Sequence, residues 1–213
     1  MSAPQTDVLS IKEIAIDDSE DLGAIAFVTI DRPDKLNALN AEVMSSLKDM
    51  VDWVEQTDSI RVVVITGAQP NEPEQGKRAK PNAFVAGADI TEFVGKKSDD
   101  IRKMFADNAV EALWNISKPT IAMVDGFALG GGCEVACSCD LRIASNRSRF
   151  GTPEINLGLI PGYGATQRLV NLLGYGKTME MVMTGEMIDS TDALKWGLVN
   201  HVVEPEQLFD FTM

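Results

Sequence analysis

The run IRVVVITG at residues 60–67 limits the possible folds of this 213-residue chain more than any other segment. It contains five consecutive β-branched residues and ends in glycine. A strand with one face in water alternates apolar and polar side chains, so an unbroken apolar run is typical of a strand covered on both faces. Such strands occur in parallel sheets that are flanked by helices. The run therefore predicts an α/β fold with mainly parallel strand pairing.

Strand-like and helical patterns alternate along the rest of the chain, as an α/β fold requires. Asn40 is placed to cap a helix whose apolar residues follow the helical period, and a second helix is expected to start at Ser98 and to include Leu113. Strands are predicted at 11–16, 24–30, 60–67, 119–126, 140–145 and 198–204, and helices also at 165–174, 178–185 and 189–197. A turn is predicted at 17–23 and a surface loop at 68–83, and no strong internal repeat is visible.

The charge of the chain argues against several classes of function. The net charge is −13, whereas proteins that bind nucleic acids through phosphates present a basic face. An anionic ligand would therefore need local cations. No apolar stretch is long enough to span a membrane, and the first twenty residues lack the pattern of a signal peptide. These features predict a cytoplasmic protein that binds neither nucleic acid nor membrane.

Three cysteines lie within seven residues, at positions 133, 137 and 139. Such crowding does not suit a disulfide framework and favours a reducing compartment. The spacing CxxxCxC is a weak metal signal because it lacks CxxC pairs, and the single histidine, His201, is distant in the sequence. We expect buried thiols and no metal site.

Carboxylates are the best candidates for proton transfer in this chain. With one histidine, a Ser-His or Cys-His pair is disfavoured, and no phosphate-binding loop or HExxH motif is present. Glu134 and Glu154 both lie among apolar residues and glycines. Either residue alone could be a solvated loop or helix-start glutamate. Two such residues favour catalysis, because a desolvated carboxylate has a raised pKa and can act as an acid near neutral pH.

The glycine run GGG at 130–132 follows a predicted strand and precedes a predicted helix. The first amides of a helix have no intrahelical acceptor, and without a Cβ they can contact a ligand oxygen directly. The segment VAGAD at 85–89 offers a second turn of small residues. One amide from each turn would form a two-donor oxyanion hole, suited to an enolate formed from a thioester. Tight packing of a helix on a strand would explain the glycines equally well.

Four segments of the chain closely resemble the crotonase (enoyl-CoA hydratase/isomerase) family. They are FVAGADI, IAMVDGFALGGGCEVACSCDL, FGTPEINLGLIPGYGATQRL and GLVNHVV, in the order and spacing of the family. DRPDKLNALN at 31–40 is similar to its N-terminal substrate loop. The resemblance extends from about Ile11 to Glu206. It implies a spiral of repeated ββα units, here one core domain over residues 1–213, and assembly as a homotrimer or homohexamer.

The resemblance also implies an enoyl-CoA hydratase (a lyase, equally a 3-hydroxyacyl-CoA dehydratase) with an acyl-CoA substrate. Coenzyme A would be part of the substrate, and no metal or redox cofactor would be needed. The catalytic residues would be Glu134 and Glu154, and the oxyanion-hole amides those of Ala86 and Gly131. The implied substrate contacts are Lys35, Ala86, Gly87, Ala88, Asp89, Ile90 and Gly131. Arg32, Lys96 and Lys97 are further candidate partners of the CoA phosphates, although solvated surface lysines explain the last two as well.

The chain departs from the family pattern in three places. Thr152 stands where many hydratases carry glutamine, and the loop at 68–83 is longer than usual. The family normally continues beyond this point with C-terminal helices that cover the acyl pocket. An enoyl-CoA isomerase of the same fold, or a non-catalytic member that binds RNA or protein, are the alternatives. The presence of both glutamates favours hydration, since members that shift double bonds commonly lack one of the pair.

Overall fold

The computed structural model describes residues 2–16, 22–73, 76, 78–106 and 108–213. Most of the turn predicted at 17–23 lies outside these residues. The strands are β1 (Leu9–Ala15), β2 (Ala24–Ile30), β3 (Ile60–Gly67), β4 (Ala83–Val85), β5 (Thr120–Val124), β6 (Phe127–Leu129), β7 (Leu141–Ser145), β8 (Arg149–Gly151), β9 (Ile188–Asp189) and β10 (His201–Val203). The helices are α1 (Ala41–Gln56), α2 (Ser98–Ala106), α3 (Ala109–Trp114), α4 (Gly131–Ser138), α5 (Ala165–Leu173), α6 (Tyr175–Thr184), α7 (Ser190–Lys195) and α8 (Leu208–Thr212).

The strands form two sheets. The larger has the order β1-β2-β3-β5-β7-β10, and only its β1–β2 pair is antiparallel. The smaller has the order β4-β6-β8-β9, with β4, β6 and β8 parallel. The central strand β3 is buried from residue 63 to its end, and Val63, Val64 and Ile65 are inaccessible to solvent. The prediction of an α/β fold with mainly parallel pairing is confirmed.

The two sheets are built by a repeated ββα unit. The pairs β3–β4, β5–β6 and β7–β8 each add one strand to the larger sheet and then one to the smaller, and helices follow each pair. The first ββα unit of the spiral is reduced. It consists of β2, an isolated parallel bridge between Leu39 and Ala88 in place of a second strand, and α1. The spiral that the family resemblance implies is therefore present. The repeat is invisible in the sequence because the second strand of each unit has only three residues.

Local signals located most helices correctly. The Asn40 side chain accepts a hydrogen bond from Val43 N at 2.9 Å and caps α1, as predicted. The single helix predicted from Ser98 to Leu113 is wrong, because Asn108 caps a new helix by accepting from Glu111 N at 2.9 Å. Strands β6, β8 and β9 were not predicted.

Over the part of the chain that the structure describes, no helix is both long and apolar enough to cross a membrane.

Candidate active site

The three glycines at the start of α4 have three different structural roles. Gly130 caps the helix with φ 51° and ψ −121°, a conformation that side-chain-bearing residues avoid. A Cβ on Gly132 would lie 1.8 Å from the carbonyl oxygen of Val85, so this residue sets the close packing of α4 on β4. A Cβ on Gly131 would instead meet the side chains of Leu39 and Tyr163, at 3.1 and 3.4 Å. Packing thus explains Gly132, while Gly131 faces a cavity.

This cavity lies between the loop after β4, the start of α4 and the segment that follows β8. Seven of the nine predicted site residues line it, and Lys35 and Asp89 do not. Its other lining residues are mostly apolar. The full lining is Ala86, Gly87, Ala88, Ile90, Phe93, Phe105, Gly130, Gly131, Glu134, Pro153, Glu154, Leu157, Leu159, Ile160, Gly162 and Tyr163. A few polar groups in an apolar cleft are typical of a small-molecule site.

The prediction that Ala86 supplies an oxyanion-hole amide is wrong for this structure. Its N–H donates to the carbonyl oxygen of Leu36 at 3.0 Å. The Leu39–Ala88 bridge uses the amide of Leu39, which donates to Gly87 O at 2.8 Å, and the amide of Asp89, which donates to Leu39 O at 2.7 Å. Successive peptide groups of an extended segment alternate in direction, so the Ala88 N–H between them points away from Leu39. Among the described residues no acceptor bonds it.

The second predicted amide, that of Gly131, has no hydrogen-bond acceptor among the described residues. It is the first residue of α4, and its N–H has no intrahelical acceptor. Gly131 and Ala88 both line the cavity. The site therefore offers two unengaged backbone donors, Ala88 N and Gly131 N, in place of the expected pair.

A strained loop explains why the Ala86 amide is engaged. Leu36 and Asn37 both have left-handed backbone conformations, with φ of 51° and 57°. The buried Asn37 side chain donates to the carbonyls of Ala68 and Ala83, at 2.9 and 2.8 Å, and accepts from Arg32 N at 3.0 Å. These bonds hold the loop against β4 and place Leu36 O at the Ala86 amide. Sequence reasoning missed Asn37, since no local pattern marks a residue whose partners are distant.

Asp89 and Lys35 lie outside the cavity lining. Asp89 forms an ion pair with Arg32 at 3.0 Å and caps a 3-10 helix, Ile90–Phe93, through Thr91. The hydrogen bond from the Thr91 hydroxyl, with the Arg32 guanidinium, lowers the pKa of Asp89 below its usual value. Asp89 therefore secures the loop that carries Ala88, and Arg32 is engaged there as well. Lys35 is exposed at the end of a neighbouring 3-10 helix, Pro33–Lys35.

Glu134 is held in the cavity wall by two backbone amides. Its side chain belongs to the first turn of α4 and is only 1% exposed. Its Oε1 accepts from Tyr163 N at 2.7 Å and from Ala165 N at 3.0 Å. Burial and the neighbouring Glu154 raise the pKa of Glu134 to about 7, although both amides oppose the shift. Glu134 can therefore exchange a proton near neutral pH.

Glu154 stands in a different environment. It lies in the 3-10 helix Pro153–Leu157, and its Oε1 would be 3.0 Å from a Cβ on Gly130. Burial raises the pKa of Glu154. Two buried side-chain atoms in the described part of the chain lack a hydrogen-bond partner, Glu154 Oε2 and Thr152 Oγ1. Both are free to bind a water or a substrate oxygen.

The three cysteines of the sequence cluster are buried thiols. Cys133, Cys137 and Cys139 are free and buried in or next to α4. No group of three or more histidine, cysteine or acidic side chains in the described ranges could hold a metal ion. The interpretation as small buried thiols is confirmed.

Comparison with protein families identifies the chain. The family model described as enoyl-CoA hydratase/isomerase matches residues 20–213. This chain belongs to the enoyl-CoA hydratase/isomerase family. The short-chain-enoyl-CoA hydratase of Clostridium acetobutylicum is 43% identical over 190 residues, which are 88% of this chain and 69% of the relative. The crotonyl-CoA hydratase of Syntrophomonas wolfei is 39% identical over 86% of this chain and 67% of the relative.

Solved structures support the assignment to the enoyl-CoA hydratase/isomerase family. The enoyl-CoA hydratase from Bacillus anthracis is 30% identical, with a TM-score of 0.81 over 95% of this chain and 73% of that one. The family membership and fold expected from the sequence are confirmed. That residues 1–213 form one core domain without the usual C-terminal helices stays a prediction.

Proposed function

We propose that this site catalyses the reversible addition of water to 2-enoyl-CoA thioesters. The observation that carries the proposal is the pair of glutamates with raised pKa values in one apolar cavity, with two unengaged amides in the same wall. The relatives named as enoyl-CoA and crotonyl-CoA hydratases support it. An isomerase moves one proton between two carbons and needs a single carboxylate, so the second buried glutamate favours hydration.

The two amides would bind the thioester oxygen. As water adds to the β-carbon, electron density moves to that oxygen and an enolate develops. Donors fixed in a cavity stabilise this charge without reorganising at the moment of reaction. Ala88 N and Gly131 N are the donors we assign, because the Ala86 amide is already bonded to Leu36.

The two glutamates would divide the proton transfers. Glu134 removes a proton from the water as the oxygen bonds to the β-carbon, and Glu154 delivers a proton to the α-carbon. Two amides at Glu134 favour its ionised form, while the unpaired Oε2 of Glu154 favours its neutral form. Burial of Glu134 acts in the opposite direction, so the pair titrates as a coupled unit. Return of the proton from Glu134 to Glu154 after product release restores the starting state.

The addition of water involves no net oxidation or reduction, and coenzyme A takes part only as a portion of the substrate. We assign neither a metal nor a redox cofactor to the reaction. The candidate cation for the CoA phosphates is Lys35, whose neighbour Leu36 accepts a hydrogen bond from the Ala86 amide.

Loss of the enoyl-thioester absorbance of crotonyl-CoA on adding purified protein tests the function. Absence of hydration with short, medium and long 2-enoyl-CoAs alike would refute it.

We further propose that the substrates are short. We assign the limit of the acyl site to an aromatic cluster in the cavity lining, in which the rings of Phe105 and Tyr163 lie 4.7 Å apart and those of Phe105 and Phe93 lie 6.1 Å apart. Phe105 packs so closely on Gly162 that a Cβ there would lie 2.7 Å from its ring. A second cavity, lined by Met44 and Met104, shares Phe93 and Tyr163 with this lining.

Removing one ring of the aromatic cluster should change the preferred acyl length. We expect Phe105→Ala to enlarge the cavity that Phe105 lines, so that kcat/KM for a ten-carbon enoyl-CoA rises relative to that for crotonyl-CoA by about 10-fold or more. This corresponds to burial of two or more methylenes at about 0.8 kcal/mol each. Phe209→Ala, at an exposed phenylalanine of α8, is the matched control and should leave the ratio unchanged. An unchanged ratio in Phe105→Ala would contradict the short-chain proposal.

Assembly as a homotrimer or homohexamer is also a proposal. Several large apolar side chains lie on the surface of the subunit, among them Met183, Phe209 and Phe211. Contiguous exposed apolar surface is typical of interaction sites. Light scattering should give a particle mass of three or six chains. A stable monomer at micromolar concentration would contradict the assembly without bearing on the chemistry.

A further inference from the structure

We infer that Arg168 is a positioning residue for Glu134. Its guanidinium fixes the turn at 163–165, and the two amides that hold the Glu134 carboxylate belong to this turn. The kinetic part of the inference rests on the proposed function. The structural part, that Arg168 controls the state of Glu134, does not.

The turn itself has little intrinsic rigidity. Gly164, at its centre, caps α5 with a left-handed φ of 107°, so the local sequence does not restrict it to one conformation. The amides on either side of Gly164, those of Tyr163 and Ala165, both donate to Glu134 Oε1. A shift of this turn would therefore move both donors together and release the carboxylate.

Arg168 supplies the missing rigidity from the first turn of α5. One Nη donates to the carbonyl oxygen of Tyr163, and a Cβ on Gly164 would lie 2.3 Å from the same nitrogen. The side chain of Arg168 is only 6% exposed. The Tyr163 backbone is thus held at both of its polar groups, with the carbonyl bonded to Arg168 and the amide to Glu134.

The other end of the guanidinium is held by α3. Its second Nη donates to Glu111 Oε2 at 2.9 Å, and its Cζ lies 4.8 Å from the ring centre of Trp114. The planar guanidinium makes these contacts at once, which a lysine ammonium cannot reproduce. Arg168 therefore connects α3 with the turn and with the catalytic carboxylate.

Arg168 also acts on Glu134 by its charge. The buried guanidinium favours the ionised form of Glu134, and it opposes the effects of burial and of Glu154. The other ionisable groups whose charge is coupled to that of Glu134 are two thiols, a phenol and a second carboxylate, and none of them is a cation. They are Cys133 and Cys137 on α4, Glu154 on its 3-10 helix and Tyr163 in the loop.

The test is a carboxyl NMR titration of protein labelled with 13C in its glutamates, combined with kinetics. The Glu134 resonance is assigned by its loss in Glu134→Gln. In Arg168→Met, displacement of the two amides and loss of the cation should together raise the titration midpoint of Glu134 by roughly one pH unit. With crotonyl-CoA, kcat should fall about 10-fold while KM stays within about 3-fold, since a misplaced base affects the chemical step.

Two variants separate charge from geometry. Arg168→Lys keeps a cation but not the planar fork, so kcat should fall and the midpoint should rise by less than in Arg168→Met, because the displaced Tyr163 and Ala165 amides no longer favour the ionised carboxylate. Glu111→Gln removes a carboxylate that is 62% exposed and leaves Arg168 charged, so the midpoint should stay or move down, never up. Arg142→Met is the matched control, because Arg142 is an equally buried arginine that donates to the carbonyls of Leu198 and Cys139. It should lower stability without shifting the Glu134 titration.

The outcomes are decisive in both directions. If Arg168→Met lowers only the melting temperature, with the Glu134 midpoint and the turnover per folded site unchanged, Arg168 is merely structural and the inference is overturned. A shifted midpoint in a protein that hydrates no enoyl-CoA would uphold the positioning role and refute the proposed function instead. If Arg168→Met does not fold, Arg168→Lys decides, because a raised midpoint with reduced turnover supports the positioning role, whereas an unchanged midpoint with unchanged turnover overturns it.

Discussion

Glu134→Gln and Glu154→Gln are each expected to lower kcat for crotonyl-CoA hydration by roughly 10²-fold or more, with little change in KM. This is the scale of losing a positioned acid or base. Glutamine keeps the size of the side chain, and its carbonyl oxygen can still accept from the Tyr163 and Ala165 amides that hold Glu134. Steady-state kinetics on both variants measures the effect. Near-wild-type hydration in either variant would remove that residue from the mechanism.

The stability of Glu134→Gln provides the control for folding. The pKa of Glu134 is raised from an ordinary value of 4.5 to about 7, so the folded state favours the protonated form. The contribution of Glu134 to the free energy of unfolding is fully present below its unfolded pKa of 4.5, and it is lost as the pH rises through about 7. Glutamine stays neutral at every pH. The variant should therefore melt at a higher temperature than the wild type above pH 7, although it is catalytically impaired. A lower melting temperature would attribute the lost turnover to misfolding.

The parts of the fold that the sequence predicted are those determined by local interactions. The cap at Asn40, the apolar face of α1 and the unbroken β-branched run of β3 depend on side chains a few residues apart. Strands β6, β8 and β9 have two or three residues each and carry no periodicity of their own. They form because neighbouring strands, parallel for β6 and antiparallel for β9, pair with their backbone groups. Sequence patterns do not record such partners.

The candidate site shows the same limit at finer scale. The loop after β4 lines the cavity, but the amide predicted there as a donor, that of Ala86, is engaged, whereas that of Ala88 is not. Peptide groups alternate in direction along an extended chain, so the choice depends on which amides the Leu39 and Leu36 carbonyls accept. That register is determined by Asn37, whose side chain bonds reach Ala68 and Ala83. Arg168 escaped prediction for the same reason, since its partners come from α3 and from a turn.

The second large effect concerns the glycines that start α4, where two interpretations can be tested on adjacent residues. Gly132→Ala is expected to destabilise the fold by about 3 kcal/mol, the upper range for overpacking, which lowers Tm by roughly 6–12 °C in a chain of this size. The reason is that the new Cβ would lie 1.8 Å from Val85 O and 2.7 Å from its carbonyl carbon, and backbone atoms of a strand cannot move aside. Turnover per folded molecule should change much less.

Gly131→Ala should behave in the opposite way. Its Cβ would meet the end of the flexible Leu39 side chain at 3.1 Å, so the fold can adjust and Tm should change by about 3 °C or less. The methyl group, however, would stand beside the amide that we assign to the thioester oxygen. Displacing that oxygen by a fraction of an ångström weakens a bond that is needed most as the enolate develops, so kcat should fall by about 10- to 10²-fold while KM changes less. Melting curves and kcat measured on the same preparations separate the two roles. If Gly131→Ala loses stability but keeps its turnover per folded site, packing explains both glycines, and the assignment of the Gly131 amide to the oxyanion hole must be withdrawn.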